Sequence, residues 1–76
     1  MSYGYSARLI ALNKEADSKL LGVKLGRICI KRNIPVSLVA SRLGVSRQTV
    51  YNWFTGANTP LNQSVGAVQT LLKSFI

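Results

Sequence analysis

Residues 36–56, VSLVASRLGVSRQTVYNWFTG, constrain this chain more than any other stretch, because their spacing fits two short helices meeting at a tight glycine turn. Two helices joined by three or four residues need a small side chain where their axes come closest, and Ala40 stands there. The chain must then reverse through a residue at positive φ, which costs glycine little, and Gly44 holds that place. Leu43, Val45, Val50 and Trp53 take the inward positions, Val50 and Trp53 being three apart on one helix face. Ser46 precedes the second helix and is placed to accept a backbone N–H as its N-cap.

With the inward positions assigned, helical periodicity turns Arg47, Gln48, Tyr51, Asn52 and Thr55 outward. These side chains suit nucleobase edges: arginine pairs in bidentate fashion with guanine, glutamine or asparagine with adenine, each pair discriminating by about 1–3 kcal/mol. On the residues alone, the alternative is the ordinary polar surface of a small helical bundle.

Ala40, the run Leu43-Gly44-Val45-Ser46, Val50, Trp53, Gly56 and Pro60 together resemble the phage repressor and Cro type of helix-turn-helix domain, the Xre-like family. The resemblance runs from about residue 20 to 72. It implies an all-α, lambda-repressor-like bundle of four or five short helices that binds operator DNA, usually as a two-fold dimer. Members often carry a glutamate directly after the tryptophan, paired inside with an arginine of the first helix. Here Phe54 and Cys29 take those positions, so an apolar contact replaces a buried ion pair, an exchange that is often neutral or stabilising when the volume fits.

Seventy-six residues allow one domain, whose core buries only about 60% of the surface of the unfolded chain. An apolar share of 47% argues for a folded protein rather than a basic tail. Ten Lys and Arg against two acids give a formal charge of +8, which favours a polyanionic partner. Ribosomal proteins and membrane-surface peptides share that property, so charge gains its force from the motif. Cys29 is the only cysteine and there is no histidine, so neither an internal disulfide nor a zinc site is expected, and Cys29 is read as a small buried apolar residue. With no apolar run of membrane-spanning length and no signal-peptide pattern at the start, a soluble, cytoplasmic protein is expected.

Residues 1–17 form an N-terminal extension or short helix, starting at about Ser6 or Ala7 after the aromatic–glycine opening Tyr3-Gly4-Tyr5. Leu9, Ile10 and Leu12 would cover one side of the bundle or meet a second subunit; a strand pairing with its copy in a dimer is the alternative. A basic arm on DNA is the weaker reading, since only Arg8 and Lys14 are positive there. Glu15 and Asp17 stand before a helix expected at residues 18–32, where negative charge suits the dipole. Without histidine, a nucleophile triad or a phosphate-cradling loop beside them, they make no catalytic pair, and no enzymatic activity or cofactor is expected.

Leu21, Leu25 and Ile28 form the apolar stripe of helix 18–32, with Cys29 beside it; Gly22 and Gly26 point to a close helix approach, and Pro35 ends the helical geometry. Ser37 or its N–H is placed to hold a phosphate at the next helix start, and Arg42 to clamp the DNA backbone. Ser46 and Thr49 join that phosphate-contacting set. In GANTP, Gly56 stops the reading helix and Thr59-Pro60 starts the next. Asn58 is a backbone contact by resemblance, or a simple turn residue with positive φ. Leu61, Val65, Val68, Leu71, Leu72 and Phe75 form one apolar face of a terminal helix, expected to pack on Trp53 and helix 18–32.

The expectation is thus a non-enzymatic, phage-type transcriptional regulator in residues 18–76, a homodimer on double-stranded DNA, with no membrane, metal or small-molecule ligand. Arg47, Gln48 and Asn52, with Tyr51 and Thr55, would face bases; Ser37, Arg42, Ser46, Thr49 and Asn58 would hold the backbone. The alternative keeps the fold but binds an acidic protein, such as a polymerase subunit.

Overall fold

The computed structural model describes residues 5–76; Tyr3 and Gly4 of the aromatic–glycine opening lie outside them. The described residues form five helices and no strand: α1 (Ala7–Glu15), α2 (Leu21–Arg32), α3 (Val36–Leu43), α4 (Arg47–Phe54) and α5 (Asn62–Phe75). This is the all-α bundle expected. Among the described residues no helix is long and apolar enough to cross a membrane.

Helix α1 begins where expected, because Ser6 caps it: the Ser6 hydroxyl accepts the Leu9 N–H at 3.1 Å. Of Leu9, Ile10 and Leu12, only Leu12 fails to cover the bundle, because the inward stripe runs in steps of four from Tyr5. Tyr5, Leu9 and Asn13, spaced four apart, are buried, while Ile10 is half-buried against the core and Leu12 is exposed. The far end of α1 is closed by Arg27, whose Nη2 donates to the carbonyls of Lys14 at 3.1 Å and Ala16 at 3.3 Å. A cation on these terminal carbonyls satisfies helix acceptors that lack a backbone partner.

Helix α2 starts at Leu21, three residues later than expected. Asp17 is the reason: its Oδ1 accepts the Lys19 N–H at 2.9 Å and its carbonyl accepts the Leu20 N–H, which bends the chain into a turn. Glu15 belongs to the end of α1 and Asp17 opens the turn that follows, so neither acid stands in the first turn of α2. The buried arc of α2 is Gly22, Val23, Leu25, Gly26 and Cys29, with Leu21 and Ile28 only half-buried. That arc is broad because α2 packs against α1, α4 and α5 at once. Asn33, in the left-handed region at φ 56°, ends the helix as the Ile34 N–H reaches back to the Cys29 carbonyl.

The expected close approach occurs at both α2 glycines. A Cβ on Gly22 would stand 2.7 Å from Trp53 Cβ and 2.9 Å from the Trp53 carbonyl oxygen; one on Gly26 would stand 2.7 Å from Asn13 Nδ2 and 2.8 Å from Phe54 Cγ. α4 therefore lies directly on the backbone of α2. Phe54 and Cys29 are both wholly buried in the same apolar cluster as Leu25, Val39, Val50 and Val68.

α5 begins after Pro60, with Leu61 as its N-cap and 68% exposed rather than part of the inner face. Val68 and Leu71 are its buried residues, and the helix lies on α2 and α3, with its first turn facing Trp53 across an open hollow.

Burial pushes the Cys29 thiol up to about 12 and the Tyr5 phenol further still. Both folded values exceed the unfolded ones, so the stability tied to these protons is fully present below the unfolded pKa and is lost as pH rises through the folded one. The cysteine window opens near pH 9, with a slope of up to about 1.4 kcal/mol per pH unit. Thermal melts at pH 7.5 and pH 10 are expected to show a smaller alkaline loss in Cys29→Ala than in the unaltered chain; equal losses would assign the effect elsewhere.

Candidate nucleic-acid interface

The helical pair α3 and α4 is joined by Gly44, at φ 67° and ψ 34°, with the Val45 N–H returning to the Ala40 carbonyl at 3.0 Å. This tight end to α3 is a left-handed cap that a β-carbon would strain. Ala40 is 6% exposed. Ser46 then caps α4: its Oγ accepts the Thr49 N–H at 3.1 Å and lies 2.9 Å from Thr49 Oγ1. Within α4, Val50, Trp53 and Phe54 are buried, and Leu43 and Val45 are half-buried beside them. One face of this eight-residue helix is thereby consumed by the core, and the other is left to solvent.

The solvent face carries Arg47 and Gln48, both exposed, with Tyr51 and Asn52 half-buried. Gln48 Nε2 donates to Asn52 Oδ1 at 3.0 Å, one helical turn apart. The bond leaves Gln48 Oε1 as an acceptor and Asn52 Nδ2 as a donor, a combination that matches the donor and acceptor on the major-groove edge of adenine. Thr55 stands apart from this group. Its hydroxyl donates to the carbonyls of Tyr51 at 3.1 Å and Asn52 at 3.4 Å, so the proton is spent on the end of its own helix.

The residues read as backbone contacts fall into three places. Ser37 shares a small hollow with Pro35, Val36, Arg47 and Tyr51. Pro35 is the N-cap of α3 and brings no side-chain acceptor, so the first N–H groups of that helix, beside Ser37, lack a capping partner. Thr49 and Asn58 line a second hollow, of about 480 Å³, with Thr59, Gln63 and Ser64. The Asn58 N–H donates to the Asn52 carbonyl at 3.2 Å, tying the loop tip to α4. Asn58 does not have the positive φ considered for it; among the described residues Asn33 is the non-glycine that does, and Gly56 takes that conformation in this loop. Arg42 lies elsewhere, in a groove against Gly66, Ala67, Thr70 and Ser74 of α5. Five residues of helix carry it about 140° around the α3 axis from Ser37.

Arg8 figures in the sequence only through the weaker basic-arm reading, and its neighbour across the fold was not foreseen. Ser6 and Arg8 share a hollow with Tyr51, so the start of α1 borders the polar face of α4; nothing local in the sequence announces a contact across more than forty residues. The Gln48–Asn52 bond, by contrast, was available as an i, i+4 pair. Among the described residues no group of three or more histidines, cysteines or acids is gathered that would hold a metal ion. No family model, no curated protein and no solved structure matches this chain.

Proposed function

We propose that this protein is a sequence-specific DNA-binding regulator of the phage repressor and Cro type, without catalysis or cofactor, that lays α4 in the major groove of double-stranded DNA. The observation that carries the proposal is the division of α4. Val50, Trp53 and Phe54 are buried while Arg47, Gln48 and Asn52 remain on the open side, the last two already bonded to each other. A formal charge of +8 supplies the long-range attraction to a polyanion. Arg47, Gln48 and Asn52 read bases, with Tyr51 alongside; Ser37, Thr49 and Asn58 hold flanking phosphates. Two copies on a two-fold operator are the expected arrangement, by the resemblance.

The test is selection of a preferred duplex from a random pool, followed by affinities of the parent and of Gln48→Ala for that duplex and for competitor. Loss of one bidentate base contact is expected to cut the preference roughly 5- to 150-fold, with little change on competitor. Equal loss on every sequence refutes base reading by Gln48. Because Arg42 lies beside α5, Arg42→Ala is expected to alter binding less than Arg47→Ala does. Absence of any preferred duplex would turn attention to an acidic protein partner.

A further inference from the structure

We propose that the first turn of α1 is a second wall of the DNA interface, with Arg8 holding the sugar-phosphate backbone of the strand next to the groove that α4 occupies. This rests on α4 being the base-reading helix.

Tyr51 carries the connection. It lines a hollow of about 190 Å³ with Ser37 and Arg47, and a second of about 330 Å³ with Ser6, Arg8, Leu9 and Leu12. One side chain on the polar face of α4 thus joins the start of α3 to the start of α1, and a guanidinium borders each hollow. The first turn of α1 is also held in place. The Tyr5 hydroxyl donates to the Ile34 carbonyl, the Tyr5 ring lies 6.3 Å from the Phe54 ring, and Ser6 caps the helix. The backbone of that turn is thus ordered before binding, so only the Arg8 side chain has freedom to lose.

Arg8 is exposed. The only acid of its own helix, Glu15, follows seven residues later, about 10 Å along the axis, beyond ion-pairing reach. The hollow pairs that guanidinium with the apolar flanks of Leu9 and Leu12, the latter 41% exposed. A phosphate with its deoxyribose presents the matching order, an anion that accepts a forked donor and a sugar edge that lies on carbon. The net charge of +8 favours that occupant over an acidic patch of limited size.

The full-length chain and its Arg8→Ala and Arg8→Lys variants are titrated across salt with a duplex selected from a random pool and with random duplex. Arg8→Ala is expected to bind both about fivefold more weakly at physiological salt and to lower the salt slope by about 0.9, the release of one phosphate's counterion, leaving the preference ratio unchanged. Arg8→Lys keeps most of the slope. Melting of both variants matches the parent, since Arg8 is exposed. Parental affinity and slope in Arg8→Ala, with sequence preference intact, would overturn the α1 contact and leave the α4 reading standing. A changed preference ratio would overturn the backbone assignment by making Arg8 a base contact. If the parent prefers no sequence, the α4 reading falls and this contact falls with it.

Discussion

Gly22→Ala is expected to lower stability by about 2 kcal/mol, although alanine is the better helix former by about 1 kcal/mol. The added methyl carbon would meet Trp53 Cβ at 2.7 Å and the Trp53 carbonyl oxygen and carbon at 2.9 and 3.1 Å. Two of those atoms are backbone of α4, so relief requires moving a helix rather than rotating a side chain. Movement would in turn disturb Val50 and Phe54, both wholly buried. In a chain of this length the melting temperature should fall by roughly 10 °C. Gly66→Ala is the control: Gly66 is an exposed position of α5 where an added Cβ meets nothing within 4 Å. There the helix propensity acts alone, and a gain of about 0.5–1 kcal/mol is expected. Thermal and urea denaturation of the two variants should move in opposite directions; a Gly22→Ala chain as stable as the parent would mean that α2 and α4 do not meet there.

The second large effect is at Asn13, the buried polar side chain of the core, 3% exposed. Its Nδ2 donates to the Phe54 carbonyl at 2.6 Å and to the Val23 carbonyl at 3.2 Å. One amide therefore ties α1 to α2 and satisfies a carbonyl in the last turn of α4, which has no partner within its helix. Asn13→Asp keeps the shape and removes the protons, leaving a carboxylate against two carbonyl oxygens. The expected cost at pH 7 is about 3 kcal/mol or more, from lost donors and a buried unpaired charge. Burial among acceptors raises the folded pKa of the new carboxyl above its unfolded value near 3.9. Its protonated form is then the stable one, so the variant is most stable below about pH 4 and loses stability as pH rises through the folded pKa. The background is simple, because the chain has two other acidic side chains, Glu15 and Asp17, both exposed. Melting measured between pH 3 and pH 7 should therefore improve toward acid in Asn13→Asp relative to the parent, whereas a constant difference across that range would remove Asn13 from this role.

Asn13 also marks where legibility ended. As a letter in the run SARLIALNK it resembles any surface asparagine, and its partner Phe54 lies 41 residues away. Arg27 was equally silent, because the carbonyls it closes lie at the end of α1, 13 and 11 residues earlier in the chain. The beginning of α2 was misplaced for a local reason: Asp17 supports a turn with its side chain as readily as it supports a helix start, and the turn won. At Pro60-Leu61 a proline suited to a first helical position stands outside the helix, and Leu61 is left in solvent.

What the sequence determined by itself were features decided within a few residues: the α3 and α4 spans, the left-handed Gly44, the Ser46 cap, the start of α1 near Ser6 or Ala7, and the choice of Val50 and Trp53 as inward residues. Caps, periodicity and positive-φ glycines act over one turn of chain, so the residue types that satisfy them are written side by side. Tertiary structure alone decided that the helix lying on Gly22 and Gly26 is α4, that Arg42 borders α5, and that Arg8 borders Tyr51. Those outcomes depend on which helices meet, and the packing that chooses among partners distant along the chain leaves no periodic trace in either of them.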